Sequence, residues 1–389
     1  METTTDTRTA ADLKTCFAKL EDPRSGNAQL HQLLDIVTIA ICAVICGADH
    51  WTEIAAFGVA KEAWLRTFLE LTRGIPAHDT FGRLFRHLDP EVFEACFVQW
   101  TQAVHQRTAG EVIPVDGKCL RRSHDGLLGQ QAIYMVSAWA SDNHLVLGQT
   151  KVDEKSNEIT AIPALLRMLD ISGCIVTIDA IGTQKEIARQ IIEQDGDYVL
   201  ALKDNQPHLR EDVQRLFTWA DNCAYEAIRS AHCQTVNKGH GRVEIRDCWT
   251  ITDPSCTAML TKPEEWTGLQ TVARVRAERR CGGQSTVEER YYISSLPDEG
   301  APTAERVLHA VRSHWGIENQ LHWVLDMAFR EDECRIRKDH GAENFAVLRH
   351  IALSLLKQDT QTRLGVHGKR LKAAWDTDYL EHLLAPQMR

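Results

Sequence analysis

The sequence predicts a mixed α/β protein: a sheet flanked by helices, preceded by an all-helical N-terminal domain and interrupted by a mainly β insertion. Three observations carry that prediction. Apolar residues recur at helical spacing as far as Thr108. Beyond it, short β-rich runs alternate with helical stretches, and two of those runs stop at an aspartate. Between Asn205 and Gly300, strand-forming runs punctuated by glycine predominate.

Residues 1–14 read as a disordered tail, polar and mixed in charge. The helical domain, 15–108, opens with an apolar helix over 36–48. An amphipathic stretch follows over 51–71, with Ile54, Phe57, Trp64, Phe68 and Leu69 on one side. Gly74-Ile75-Pro76 breaks it, His78-Asp79-Thr80 caps a helix over 81–88, and Asp89-Pro90 opens another. The first part of the core, 109–204, has strands at 112–116, 132–140 and 144–152, the last two joined by a Ser141-Asp142-Asn143 turn. A helix interrupted by Pro163 comes next, then a strand ending at Asp179, a helix, and a strand over 198–202. The insertion, 205–300, begins with one helix and continues as strands at 242–251, 271–278 and 286–294. In the last part, 301–389, Thr303 caps a long amphipathic helix reaching Met327, and a helical tail follows. That tail is basic, with ten Lys and Arg against six Asp and Glu from Arg335 to Arg389.

With 43% hydrophobic and 25% charged residues among 389, the chain is not predominantly disordered. Its formal net charge of −10 excludes a simple polycation, so any nucleic acid must be held by local basic surface. Twelve scattered cysteines without a CxxC pair read as reduced thiols. The N-terminus lacks the apolar core of an export signal, and the most apolar stretch, 36–48, is too short to span a bilayer. A cytoplasmic protein without membrane contact is expected.

Asp116 and Asp179 each close a short β run and precede a small residue, Gly117 or Ala180. Ligands gather beyond strand ends in α/β sheets, so the two carboxylates are placed to share a divalent cation. Taken singly, Asp116-Gly117 also fits a hairpin turn and Asp179 a helix cap. Plotted at ~100° per residue, Glu318 lies in an apolar stripe, with Val307, Val311, Trp315, Leu321 and Leu325 within about 60°. A carboxylate there requires a proton, an ion pair or a metal. Trp315 is placed to pack over the neighbouring turn and fix its direction. His314 and His322, at i−4 and i+4, could join it around zinc, although packed histidines are the simpler reading. Three basic clusters offer phosphate contacts: Lys118, Arg121 and Arg122; Arg242 and Arg246; and Arg335, Arg337 and Lys338.

Ordered strings mark the chain from Asp22-Pro23-Arg24 and Ile75-Pro76-Ala77-His78-Asp79-Thr80 onward: VDGKCLRRS, DEKSNEITAIPALLRMLDISG, TIDAIGTQKEIA, GDYVLALKDNQ, KGHGRVEIR, RYYISS and HWGIENQLHWVLDMAFREDECRIR. They resemble the H-repeat-associated (ISAs-type) insertion-sequence transposases of the DDE superfamily. That resemblance implies a ribonuclease-H-like core and an acidic triad of Asp116, Asp179 and Glu318, spaced 63 and 139 residues apart. It further implies two Mg²⁺ ions, with Mn²⁺ able to substitute, and phosphoryl transfer without a covalent enzyme intermediate. The partners would be double-stranded DNA, both terminal inverted repeats and target, and a second copy of the chain, in a bacterial, nucleoid-associated setting. Lys203 joins the DNA-contacting set. In related cut-and-paste transposases the glutamate helix carries Tyr, Arg and Lys at i−7, i−4 and i+7. Val311, His314 and Leu325 stand there, so phosphate contacts would fall to Arg312 or the Arg335–Lys338 cluster. A domesticated or inactive relative that binds DNA without transposing is the alternative implied.

Overall fold

A computed structural model describes residues 13–105, 108–124, 131–152, 158–226, 228–239 and 241–384. A short helix, Leu13–Phe17, starts inside the expected tail, the rest of which lies outside the described residues, as does His240 of the KGHGR string. One nine-stranded sheet organises the chain: β1 (Val112–Leu120), β2 (Ile133–Ala140), β3 (Leu145–Val152), β4 (Ile175–Ile178), β5 (Asp197–Leu202), β6 (Ser230–Gly239), β7 (Arg242–Ile251), β8 (Thr271–Cys281) and β9 (Gln284–Ser294). Its order is β3-β2-β1-β4-β5-β9-β8-β7-β6. Strands β1 to β3 pair antiparallel, while β1, β4 and β5 are parallel. This is the ribonuclease-H-like arrangement, and the expected fold class holds.

The insertion does not stand apart from the core. Strand β9 pairs antiparallel with β5, from Val199↔Ser294 to Leu202↔Tyr291, so four strands extend the same sheet. Edge strand β6 has no apolar alternation to reveal it in SAHCQTVNKG; ten consecutive pairings with β7 make it a strand.

Helices cover both faces. Strand residues Ile113, Val115, Val176 and Leu200 pack on one side with α3 (Glu158–Met168), α4 (Lys185–Glu193) and α5 (Pro207–Asn222). The alternate residues Val112, Ile175 and Val199 pack on the other side against Val307, Leu308 and Val311 of α6 (Ala301–Ile317). Chain direction continues through a π-helical turn, Glu318–His322, into α7 (Trp323–Phe329).

The N-terminal helices, α1 (Leu33–Ile45) and α2 (Pro90–Val104) among them, share one apolar core with α8 (Gly341–Gln358). Asp89 caps α2 by accepting from the amides of Glu91 and Val92. The boundary at 108 is therefore a change of element type and not of core. The Asn344 amide donates to the carbonyls of Phe85 and Leu88 across it. The stretch over 51–71 breaks at Lys61 into two helices, Trp51–Ala60 and Glu62–Leu65. His78, Asp79 and Thr80 form the first turn of the next helix, with Ala77 at its cap position. No helix among the described residues is long and apolar enough to cross a membrane.

Candidate active site

Strand β1 does not stop at Asp116-Gly117; it runs on to Leu120, which excludes the hairpin-turn reading. Its last pairing with β4 is Val115↔Ile178, so Asp116 and Asp179 come next, side by side, where β4 ends. The Asp179 carboxylate accepts from the amides of Ile181 (3.0 Å) and Gly182 (3.4 Å), which fixes the turn after the strand. Asp179 thus both caps its loop and faces the cleft, whose lining includes Asp116, Thr177, Asp179, Lys203, His314 and Glu318.

Glu318 arrives from the opposite direction, at the first residue of the π-turn. The expectation of a carboxylate enclosed in an apolar stripe is not met: its side chain is 61% exposed. A π-turn spends an extra residue per turn and shifts the phase of the helix beyond it, so Leu321 and Leu325 stay buried while Glu318 faces the cleft. His322 packs beneath, its Nδ1 3.2 Å from Glu318 Oε2 and 3.6 Å from Asp116 Oδ2. Donor atoms of Asp116, Glu318 and His322 lie within 4.8 Å of one another. Asp179 is not in that tight group.

Electrostatics set the cleft apart from an ordinary surface. Burial first, then the charges of Glu158, Asp179 and Glu318, push Asp116 up to about 7, against the pull of the Gly117 amide. Glu158, at the start of α3, is also raised, by burial and by Asp179, while a hydrogen bond from Tyr134 pulls it back. Burial lowers His322, opposed by its bond to Glu318. Burial pushes His314 down to about 4; its Nδ1 lies 3.1 Å from Thr177 Oγ1, and so it packs as a neutral ring under Asp179. Among the described residues, no Lys or Arg forms an ion pair with any of the four carboxylates. Crowded carboxylates with no Lys or Arg paired to them are the donor set a hard divalent ion takes, so the residues present fit such an ion. Sequence reasoning missed Glu158, because an acid in the first turn of a helix reads as a dipole partner.

The basic clusters divide. Lys118 points inward: its ammonium binds Asp326 and Glu331 (2.7 Å) and is 12% exposed, which corrects its placement among phosphate contacts. Position 118 lies on the same face as Asp116, and the segment after α7 folds over it. Arg121 is exposed and 3.3 Å from Asp332. Arg337 Nε donates to the Arg122 carbonyl (2.9 Å), which joins that cluster to exposed Arg335 and Lys338. Lys203 is exposed at the mouth of the cleft. Arg242 and Arg246 share Glu244, at 3.1 and 2.6 Å. Arg246 also lines a groove between α6 and β7–β9, together with Arg279, Arg290, Arg312 and Trp315. Trp315 is not packed over a turn; it is 49% exposed, and the Arg290 guanidinium lies 4.6 Å above its ring. The sequence concealed Arg279 and Arg290 because strand pairing, and not spacing, brings them opposite α6.

The Transposase DDE domain family matches residues 107–355, and the DDE_Tnp_1-associated family matches 14–101. The chain belongs to the DDE transposase family. Within this family it is 40% identical over 363 residues to the "H repeat-associated putative transposase YhhI" of Escherichia coli K12, covering 91% of this chain and 93% of that one. It is 46% identical over 288 residues to an uncharacterised protein in the dhlA 3′ region of Xanthobacter autotrophicus, covering 72% and 94%. A structure of the piggyBac transposase synaptic complex with hairpin DNA aligns at a TM-score of 0.41 and 11% identity, over 96% of this chain and 76% of that one.

Proposed function

We propose that this DDE-family chain cleaves DNA strands at the ends of an insertion sequence and joins them to a target, with Asp116, Asp179 and Glu318 as the carboxylates of its metal centre. The observation that carries this reading is the meeting of Asp116 and Asp179, at adjacent strands, with Glu318 from the π-turn. Asp116 is shared, since its carboxylate faces both Glu318 and Asp179. Asp116, Asp179 and Glu318 would hold Mg²⁺, or Mn²⁺ in its place, which would supply Lewis acidity for phosphodiester cleavage and joining. The protein's part is to hold the oxygen donors fixed: the Ile181 and Gly182 amides anchor Asp179, and His322 anchors Glu318. Neutral His314, beside Thr177, lines the floor of the cleft. No serine or tyrosine nucleophile is required.

Lys203 and the groove arginines Arg246, Arg279, Arg290 and Arg312 supply a positive border for the DNA backbone beside these carboxylates. The patch of exposed Arg121, Arg122, Arg335 and Lys338, with half-buried Arg337 between them, offers a second contact. Joining two element ends favours a homodimer on DNA.

The test is cleavage of DNA carrying the gene's own flanks, with wild type and Asp116→Asn compared in Mg²⁺ and in EDTA and every new 3′ end mapped. Metal-dependent cuts at fixed flanking positions, absent with the variant, are expected. Specific binding without cuts would instead support a relative that binds DNA without transposing.

A further inference from the structure

Strand β1 carries Asp116 and Gly117 on opposite faces of the sheet: Asp116 toward α6, and Gly117 toward α3 and β2. The glycine has no conformational reason to be there, since its backbone is ordinary strand. The reason is spatial. A Cβ at 117 would collide with the carboxylate of Glu158, 2.8 Å from its Cδ, and would lie 2.5 Å from the Tyr134 ring. Glu158 therefore occupies the volume that any other residue at 117 would fill. The Tyr134 hydroxyl, from β2, donates to the same carboxylate and holds it in place.

A helix-terminal glutamate serving only the helix dipole would point to solvent at no cost. Glu158 is instead half-buried, its carboxylate held against Gly117 and Tyr134; it lies outside the tight Asp116–Glu318–His322 group but near enough for its charge to raise Asp116 and for that of Asp179 to raise Glu158. Like charges so placed repel unless a cation lies among them.

We propose that Glu158 is a fourth carboxylate of the metal centre, reaching Asp116 through the gap left by Gly117. Asp116 then stands between two donor groups, Glu318 with His322 on one face and Glu158 with Asp179 at the strand end. Tyr134 and Gly117 are positioning residues for Glu158. This inference rests on the divalent-metal reading of the cleft.

Mn²⁺ titration of the full chain, followed by electron paramagnetic resonance, tests it alongside melting curves with and without Mn²⁺. For Glu158→Gln, Mn²⁺ affinity falls at least ~tenfold. Its melting temperature in EDTA equals or exceeds that of wild type, because a repelling charge has gone. Gly117→Ala, which keeps every charge but displaces the carboxylate, loses Mn²⁺ affinity in the same direction. A merely structural Glu158 would give the reverse: a lower melting temperature in EDTA and unchanged Mn²⁺ binding, which overturns the proposal. So would wild-type Mn²⁺ binding in Gly117→Ala, should Glu158→Gln fail to fold. Asp116→Asn separates the fourth carboxylate from the metal centre itself. If Asp116→Asn loses Mn²⁺ and Glu158→Gln does not, the metal centre stands and Glu158 is outside it. If wild type takes up no Mn²⁺, both readings fall.

Discussion

Replacing Asp116 by Asn should make the metal-free protein more stable, and the gain should depend on pH. Burial and three neighbouring carboxylates raise Asp116 from 3.8 to about 7. That is about three units, and at 1.36 kcal/mol per unit the ceiling on the cost of keeping it ionised is roughly 4 kcal/mol. The side chain is 26% exposed, and the repulsion is shared with Glu158, Asp179 and Glu318, so about 2 kcal/mol is the reasonable figure. Because the folded value lies above the unfolded one, the carboxyl is protonated in both states below about pH 4 and costs nothing there. The penalty grows as pH rises from about 4 to about 7 and is constant above. Differential scanning in EDTA at pH 8.5 should therefore find Asp116→Asn melting roughly 2–3 °C above wild type. At pH 5 the gap should shrink to a minor part of that. In Mg²⁺ the order should reverse, since wild type alone gains from binding. A variant less stable than wild type in EDTA at pH 8.5, or a gap equal at both pH values, would refute the crowded-carboxylate account.

Three further outcomes are expected of the same structure. Lys118→Met should destabilise by about 3 kcal/mol in chemical denaturation, since it leaves Asp326 without a cation and buried Glu331 with Arg349 alone, while the salt slope of DNA binding by the folded protein stays unchanged. Arg279→Ala and Arg312→Ala, in the groove beside the cleft, should each weaken DNA binding across sequences and reduce the salt slope by about one; an unchanged slope would move the DNA path elsewhere. Glu94, buried and raised to about 8, accepts from the Gln149 amide (2.8 Å). Its contribution to folded stability declines as pH climbs from about 5 through 8, and Glu94→Gln should flatten that part of the melting profile.

Local chemistry made much of the fold legible. Strands β1 to β5 and their helices are marked by apolar runs of the right length, and two of those runs end at the aspartates of the cleft. Helix α2 announces itself by Asp89-Pro90, and the sheet shares its burial pattern between alternate residues as β periodicity demands. Where spacing failed, the cause was geometry that spacing does not encode. The π-turn at Glu318 rotated the helix face, so a residue that fell in an apolar stripe on a uniform helix is exposed to the cleft. Lys118 looked like a surface cation because its acidic partners lie more than two hundred residues away. Strand β6 has no pattern of its own and exists through its neighbour.

The sequence by itself determined the class of protein and the family, and it singled out Asp116, Asp179 and Glu318, because chemistry-bearing residues at strand ends and in long ordered strings depend on local order alone. Only the tertiary structure decided which carboxylates share a cleft, which cations stay at the surface, and why position 117 is glycine. Those properties are set by side chains that meet across strands and helices distant in the chain. The burial and charge they impose on one another have no local signature.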